Sequence, residues 1–131
     1  MKPKRSPRAA DDGHAARRQA ALAAFARDVL GHDFADVGLI DRALTHGSAN
    51  RTGASYQRLE FLGDRVLGCV VAHLLYASHD EAEGRLTARL HALVEGPANA
   101  RVARGWNVGP LIAMEPNSRA KGLADNDNVL G

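Results

Sequence analysis

The sequence predicts an all-α fold. Three observations carry that prediction. Alanine and leucine dominate the apolar residues, and both favour helix. Apolar residues recur at three- and four-residue steps over most of the chain. No β-type alternation runs longer than a few residues, and no internal repeat is visible. The 131 residues give room for one domain rather than two. With 45% hydrophobic and 24% charged residues, the balance is that of a soluble globular protein.

Each element follows from its residues. Met1 to about Gly13 holds two prolines, a glycine and many charges, which predicts disorder. The expected division is a basic disordered tail over residues 1–14 and a helical domain over 15–131. From Ala15, Leu22, Phe25, Ala26, Val29 and Leu30 fall at helical spacing, and Gly31 is the expected stop. Asp36 can cap a second short helix, with Val37, Ile40, Ala43 and Leu44 inward. His46 to Ser55, rich in glycine and serine, reads as a loop. A long helix is expected over Tyr56 to Ala77. Its stripe of Leu59, Leu62, Val66, Cys69, Val70, His73 and Leu74 is wide. That stripe exceeds what one helix of a small domain needs to bury, so it predicts a homodimer through this helix. Ser78, His79 and Asp80 end the helix. Another starts near Glu83, with Leu86, Leu90, Leu93 and Val94 inward. Gly96–Pro97 breaks it, and Pro97 opens a further helix through Arg104. Gly105 to Ala124 reads as loop. Asn128-Val129-Leu130-Gly131 reads as a first helical turn.

Charge and composition exclude several classes. The net charge of +2 is uneven. Residues 1–20 carry six basic and two acidic groups, whereas the rest carries 11 basic and 13 acidic groups. Only the tail is therefore suited to attract nucleic acid or an anionic surface. Three Phe, two Tyr and one Trp are too few for extensive base stacking. A single cysteine, Cys69, excludes an intramolecular disulfide framework and a cysteine zinc cluster, and suits a reducing, cytoplasmic compartment. No apolar core of a secretory leader follows the basic start. The run Val66 to Ala77, interrupted by Gly68 and His73, is read as too short to span a bilayer, so no membrane partner is expected.

The segment with chemical content is Tyr56 to Gly68. Glu60 and Asp64 lie four apart, so at about 100° per residue both carboxylates point the same way, one turn apart. Like charges at this spacing repel by a few tenths of a kcal/mol in an isolated helix. Mg²⁺ would offset that repulsion, since it favours carboxylate and water oxygens. The plainer reading is that both acids sit in water or pair with Arg58 or Arg65. Asp80, Glu81 and Glu83 read as a solvated helix cap. Asp125-Asn126-Asp127-Asn128 lacks the glycine and closing glutamate of a calcium loop. His46 reads as a loop residue bonded to backbone, His73 as a core residue, Cys69 as a small hydrophobe and Trp106 as packing at a helix end. No acid stands at a sensible spacing to complete a triad with Ser48 and His46.

Arg58-Leu59-Glu60-Phe61-Leu62-Gly63-Asp64 matches without a gap the signature stretch of the ribonuclease III family, which the chain resembles. Ala43-Leu44-Thr45-His46-Gly47-Ser48 is similar to the family element just upstream. Gly84-Arg85-Leu86-Thr87, with Leu93-Val94, is similar to the downstream helix. The resemblance runs from about Ala21 to Gly131. It implies an all-α endonuclease domain, dimeric through the signature helix, that cuts double-stranded RNA, as in the processing of ribosomal and messenger RNA. It implies Mg²⁺ as the cofactor, Glu60 as a metal ligand and Asp64 as the catalytic aspartate. Two departures stand out. Gln57 replaces a glutamate common in relatives. The second acidic pair of the family, Asp-x-x-Glu, would lie just beyond Gly131. The expectation is therefore an incomplete nuclease domain, inactive as these 131 residues alone. The alternative is a non-catalytic module that keeps the scaffold for dimerisation or RNA binding.

Overall fold

The computed structural model describes residues 7–49 and 54–131. Its elements are helical, and the one β feature among the described residues is an isolated bridge between Thr45 and Ala113. These residues fall into two compact units, one ending at Leu44 and the other beginning at Thr45, where length alone predicts one.

The first unit is built on α1 (Pro7–Phe25), which runs on as a π-helical turn through Ala26–Leu30. The helix takes in residues 7–14, where composition predicts a disordered leader; residues 1–6 lie outside the described residues. Gly31 ends it as expected, at φ +67°, a left-handed conformation that glycine adopts without a Cβ penalty. Asp36 caps α2 (Val37–Ala43), its Oδ1 accepting the Gly38 N–H at 2.8 Å. Leu22, Ala26 and Ile40 are buried, whereas Ala43 is exposed rather than inward. Arg18 ties α1 to α2 through Asp41, Nε to Oδ1 at 2.7 Å.

The second unit is built on α3 (Ala54–Ser78), α4 (Glu83–Val94) and α5 (Gly96–Gly105), packed in sequence. Leu75, Ala98, Ala100, Val108 and Ile112 form its buried core. Glu81 anchors α4, accepting two bonds from Arg89 at 2.6 and 3.0 Å. Leu93, expected inward, is exposed. The stretch after Gly105, expected to be loop, contains a 3-10 turn at Gly109–Leu111, the short α6 (Pro116–Ala120) and a second 3-10 turn at Leu123–Asp125. The last element, α7 (Asp127–Leu130), forms where the final residues predict a helical turn and packs on α5.

The length of α3 corrects one expectation. Val66 to Ala77 reads as too short to span a bilayer, but it is part of a 25-residue helix. Gln57–Ser78 is long and apolar enough to cross a membrane by length and composition, and almost none of it is buried.

Candidate functional site

Two faces of α3 carry different residues. At about 100° per residue, Glu60 and Asp64 share a face with Leu67, Val71 and Leu75. Leu75 is buried and Leu67 and Val71 are half-buried, so this face turns inward. Towards its N-terminal end the packing gives way to a cleft of about 320 Å³. Glu60, Asp64, Arg65 and Asn99 line that cleft, together with Gly96 and Gly131.

Both carboxylates are exposed, and neither has a hydrogen bond or ion pair among the described residues. The plainer reading therefore holds in its first form, with both acids in water, and not in its second, pairing with Arg58 or Arg65. The Arg65 guanidinium instead lies over the Phe61 ring, 5.4 Å from its centroid. Two unpaired carboxylates one turn apart suit a Mg²⁺ ion that keeps several of its waters. They supply only part of such a site: among the described residues no three acids, histidines or cysteines come together. Neither Asp80, Glu81 and Glu83 nor Asp125 and Asp127 join the cleft.

The end of α7 reaches the cleft through contacts that sequence reasoning missed. Arg104 Nε donates to Asp125 Oδ1 at 3.0 Å, and Nη2 donates to the Asp125 carbonyl at 2.8 Å and to Asp127 Oδ1. Asp127 and then Asp125 hold the guanidinium pKa above its ordinary value. Asn126 caps α7 by accepting the Asn128 N–H at 2.9 Å. Asn99 Nδ2 donates to the carbonyls of Val94 at 3.2 Å and Gly131 at 3.4 Å. A Cβ on Gly131 would stand 2.5 Å from the Gly96 carbonyl oxygen, so only glycine permits this approach. Arg104 and Asp125 are 21 residues apart, beyond the reach of any local spacing rule.

The remaining singled-out residues are structural or exposed. His46 Nδ1 accepts the Ser48 N–H at 3.1 Å and lies 2.8 Å from Ser48 Oγ, which accepts the Glu115 N–H at 3.2 Å. This is the backbone-bonded loop histidine expected. Trp106 caps the C-terminus of α5, but it is half-exposed rather than packed. His73, expected in the core, is exposed, as is Cys69. They stand on the outer face of α3, where Leu62, Val66, Val70 and Leu74 are 51–59% exposed.

This chain is similar to known proteins in sequence and fold. A family model described as ribonuclease-III-like matches residues 36–131. Ribonuclease 3 of Azorhizobium caulinodans is 45% identical over 106 residues, covering 77% of this chain and 45% of its own. Ribonuclease 3 of Zymomonas mobilis is 46% identical over 103 residues, covering 78% of this chain and 41% of its own. The chain thus spans less than half the length of these curated relatives. A solved structure of the nuclease domain of ribonuclease III from Campylobacter jejuni, described for flexibility in a region involved in dimer formation, superposes with a TM-score of 0.75 at 35% identity. That match covers 81% of this chain and 74% of the other. An all-α fold, an unbroken signature on α3 and a match over residues 36–131 place this chain in the ribonuclease-III-like family.

Proposed function

We propose that this chain is part of a magnesium-dependent endonuclease that hydrolyses double-stranded RNA, in the processing of ribosomal and messenger RNA in the cytoplasm. The observation that carries this reading is the unpaired Glu60–Asp64 pair facing a cleft in a chain of this family. Glu60 holds the cation, and Asp64 holds it and can accept a proton from the attacking water. Magnesium, when bound, neutralises charge developing on the phosphate. Asn99 and the Gly96–Gly131 contact fix the wall on which the cleft closes.

A homodimer through α3 belongs to this reading. An outer stripe of half-exposed Leu62, Val66, Val70 and Leu74 is an apolar patch of the kind that a partner covers. Arg58, Glu60, Asp64 and Arg65 in the first turns of the helix favour that role over a membrane span.

A second reading is a non-catalytic dimerisation or RNA-binding module. It is favoured by the exposed apolar stripe of Leu62, Val66, Val70 and Leu74, which would serve dimerisation without any chemistry at Glu60 and Asp64. One experiment separates the two. In a chain extended beyond Gly131 to carry the second acidic pair, Asp64→Asn should abolish cleavage of long double-stranded RNA and leave binding largely intact. Cutting by the Asp64→Asn protein at the wild-type rate would sink the assignment. Failure of the extended wild type to cut would favour the module.

A further inference from the structure

The segment from Asp125 to Gly131 is held at both ends by one helix, α5. At the start of the segment the Arg104 guanidinium takes three acceptors. Its Nε donates to Asp125 Oδ1 at 3.0 Å, and its Nη2 donates to the Asp125 carbonyl at 2.8 Å and to Asp127 Oδ1. At the end of the segment the Gly131 carbonyl accepts from Asn99 Nδ2 at 3.4 Å, and the backbones of Gly131 and Gly96 meet too closely for a Cβ. Arg104 lies near the end of α5, and Gly96 and Asn99 near its start, so α7 runs back along α5. The rise from Asn99 to Arg104 is about 7.5 Å and that of α7 about 6 Å, so the two anchors match the ends of the short helix. A single helical turn does not hold itself in place. The Gly96–Gly131 contact fixes one point of α7 and leaves its direction open; Arg104 supplies the second point.

That direction bears on the cleft, because Gly96, Asn99 and Gly131 line it together with Glu60 and Asp64. Consecutive Cα atoms stand about 3.8 Å apart, so in a chain that continues past Gly131 the next residue is delivered to that cleft. Arg104, Asp125 and Asp127 are themselves 40%, 83% and 58% exposed. Ion pairs that exposed add little to overall stability. Three bonds from one planar fork do set a geometry. We infer that Arg104 is a positioning residue, acting through α7 to set where the chain past Gly131 stands against the Glu60–Asp64 pair. This rests on the reading of the protein as a metal-dependent nuclease.

The test uses the chain extended beyond Gly131, with Arg89→Ala as the control. Arg89 likewise makes two bonds to an acid, Glu81, but away from the cleft. Arg104→Ala should lower kcat on long double-stranded RNA by about tenfold or more, as for a misplacement of about 1 Å at a reacting centre. KM for the RNA should stay within about twofold, because the change is not in substrate binding. Mn²⁺ binding, followed by the loss of the free-ion resonance, should weaken severalfold. Arg104→Lys, which keeps the charge without the fork, should fall between Arg104→Ala and the wild type. Arg89→Ala should lower the melting temperature at least as much as Arg104→Ala, yet keep wild-type kcat and Mn²⁺ affinity. Where Arg104→Ala does not fold, Asp127→Ala removes one of the three bonds and should show smaller changes of the same kind. Wild-type kcat and Mn²⁺ affinity in Arg104→Ala would overturn the inference and leave the proposed function standing. Equal losses of kcat in Arg104→Ala and Arg89→Ala would also overturn it, since both arginines would then only hold the fold. An extended wild type that neither binds Mn²⁺ nor cuts duplex RNA would overturn the proposed function and this inference together.

Discussion

Glu60 and Asp64 differ from Glu81, Asp125 and Asp127 in what surrounds them, and from the other unpaired acids of the second unit, Asp80, Glu95 and Glu115, in standing one helical turn apart. Glu81, Asp125 and Asp127 are each spent on an arginine. The pair on α3 has no such partner, so a charge cost is left standing that a cation would remove. Outer partners of metal ligands typically account for 10–100-fold in affinity, so loss of a ligand itself should cost at least about tenfold. Glu60→Gln should therefore weaken Mn²⁺ or Mg²⁺ binding by that much, measured by calorimetry, with raised metal partly restoring function. Unchanged metal affinity would remove Glu60 from the ligand set. This pair was legible in the sequence, because four residues make one helical turn and the neighbouring residues match the signature. Its freedom from Arg58 and Arg65 follows from spacing too, since those arginines stand one, two, five and six residues from the acids and only three- and four-residue steps face one another on a helix. Arg104 and Asn99, in contrast, were hidden. They act across 21 and 32 residues, and no periodicity links such distant positions.

At the level of elements, α3 is organised by its two faces. The inner face supplies Leu67, Val71 and Leu75 to the core, then Glu60 and Asp64 to the cleft. The outer face leaves Leu62, Val66 and Val70 in solvent. Periodicity picks out only the outer stripe and takes it as the one to be buried, whereas the chain buries Leu75 and half-buries Leu67 and Val71 on the other face, which is why His73 reads as a core residue and is found exposed. If the outer stripe pairs with a second copy, Leu62→Arg places an unpaired charge in that contact. It should weaken dimerisation by several kcal/mol, read by sedimentation equilibrium. A wild type that sediments as a stable folded monomer would count against the pairing. The α4 start offers a pH test. Arg89 holds the Glu81 pKa below its ordinary 4.5. A carboxylate with a lowered folded pKa stabilises the fold above its unfolded pKa, and that contribution fades as pH falls through the folded value. Glu81→Gln should thus melt below the wild type at neutral pH, and the two curves should converge in acid below 4.5. A gap that persists there would mean that the effect is not the ion pair.

For the whole molecule, charge and completeness pull in one direction. The two carboxylates present can hold a weakly bound, largely hydrated ion. Metal positioning supplies much of the transition-state stabilisation in phosphodiester hydrolysis, so a partly walled ion should give little rate. Beyond residue 20 the chain carries more acid than base, so the net positive charge available to phosphates sits in residues 1–20. Each phosphate neutralised contributes about 0.9 to the salt slope on a duplex, by the B-DNA value. A few such contacts give affinity that fades between low and physiological salt. Residues 1–131 by themselves should then bind duplex RNA weakly, lose most of that binding as salt rises, and produce no discrete magnesium-dependent products from long double-stranded RNA. An extended chain carrying a second acidic pair, run beside it, should cut. Discrete products from residues 1–131 alone, lost on Asp64→Asn, would show that these residues already contain a complete site and that its remaining ligands have been misplaced.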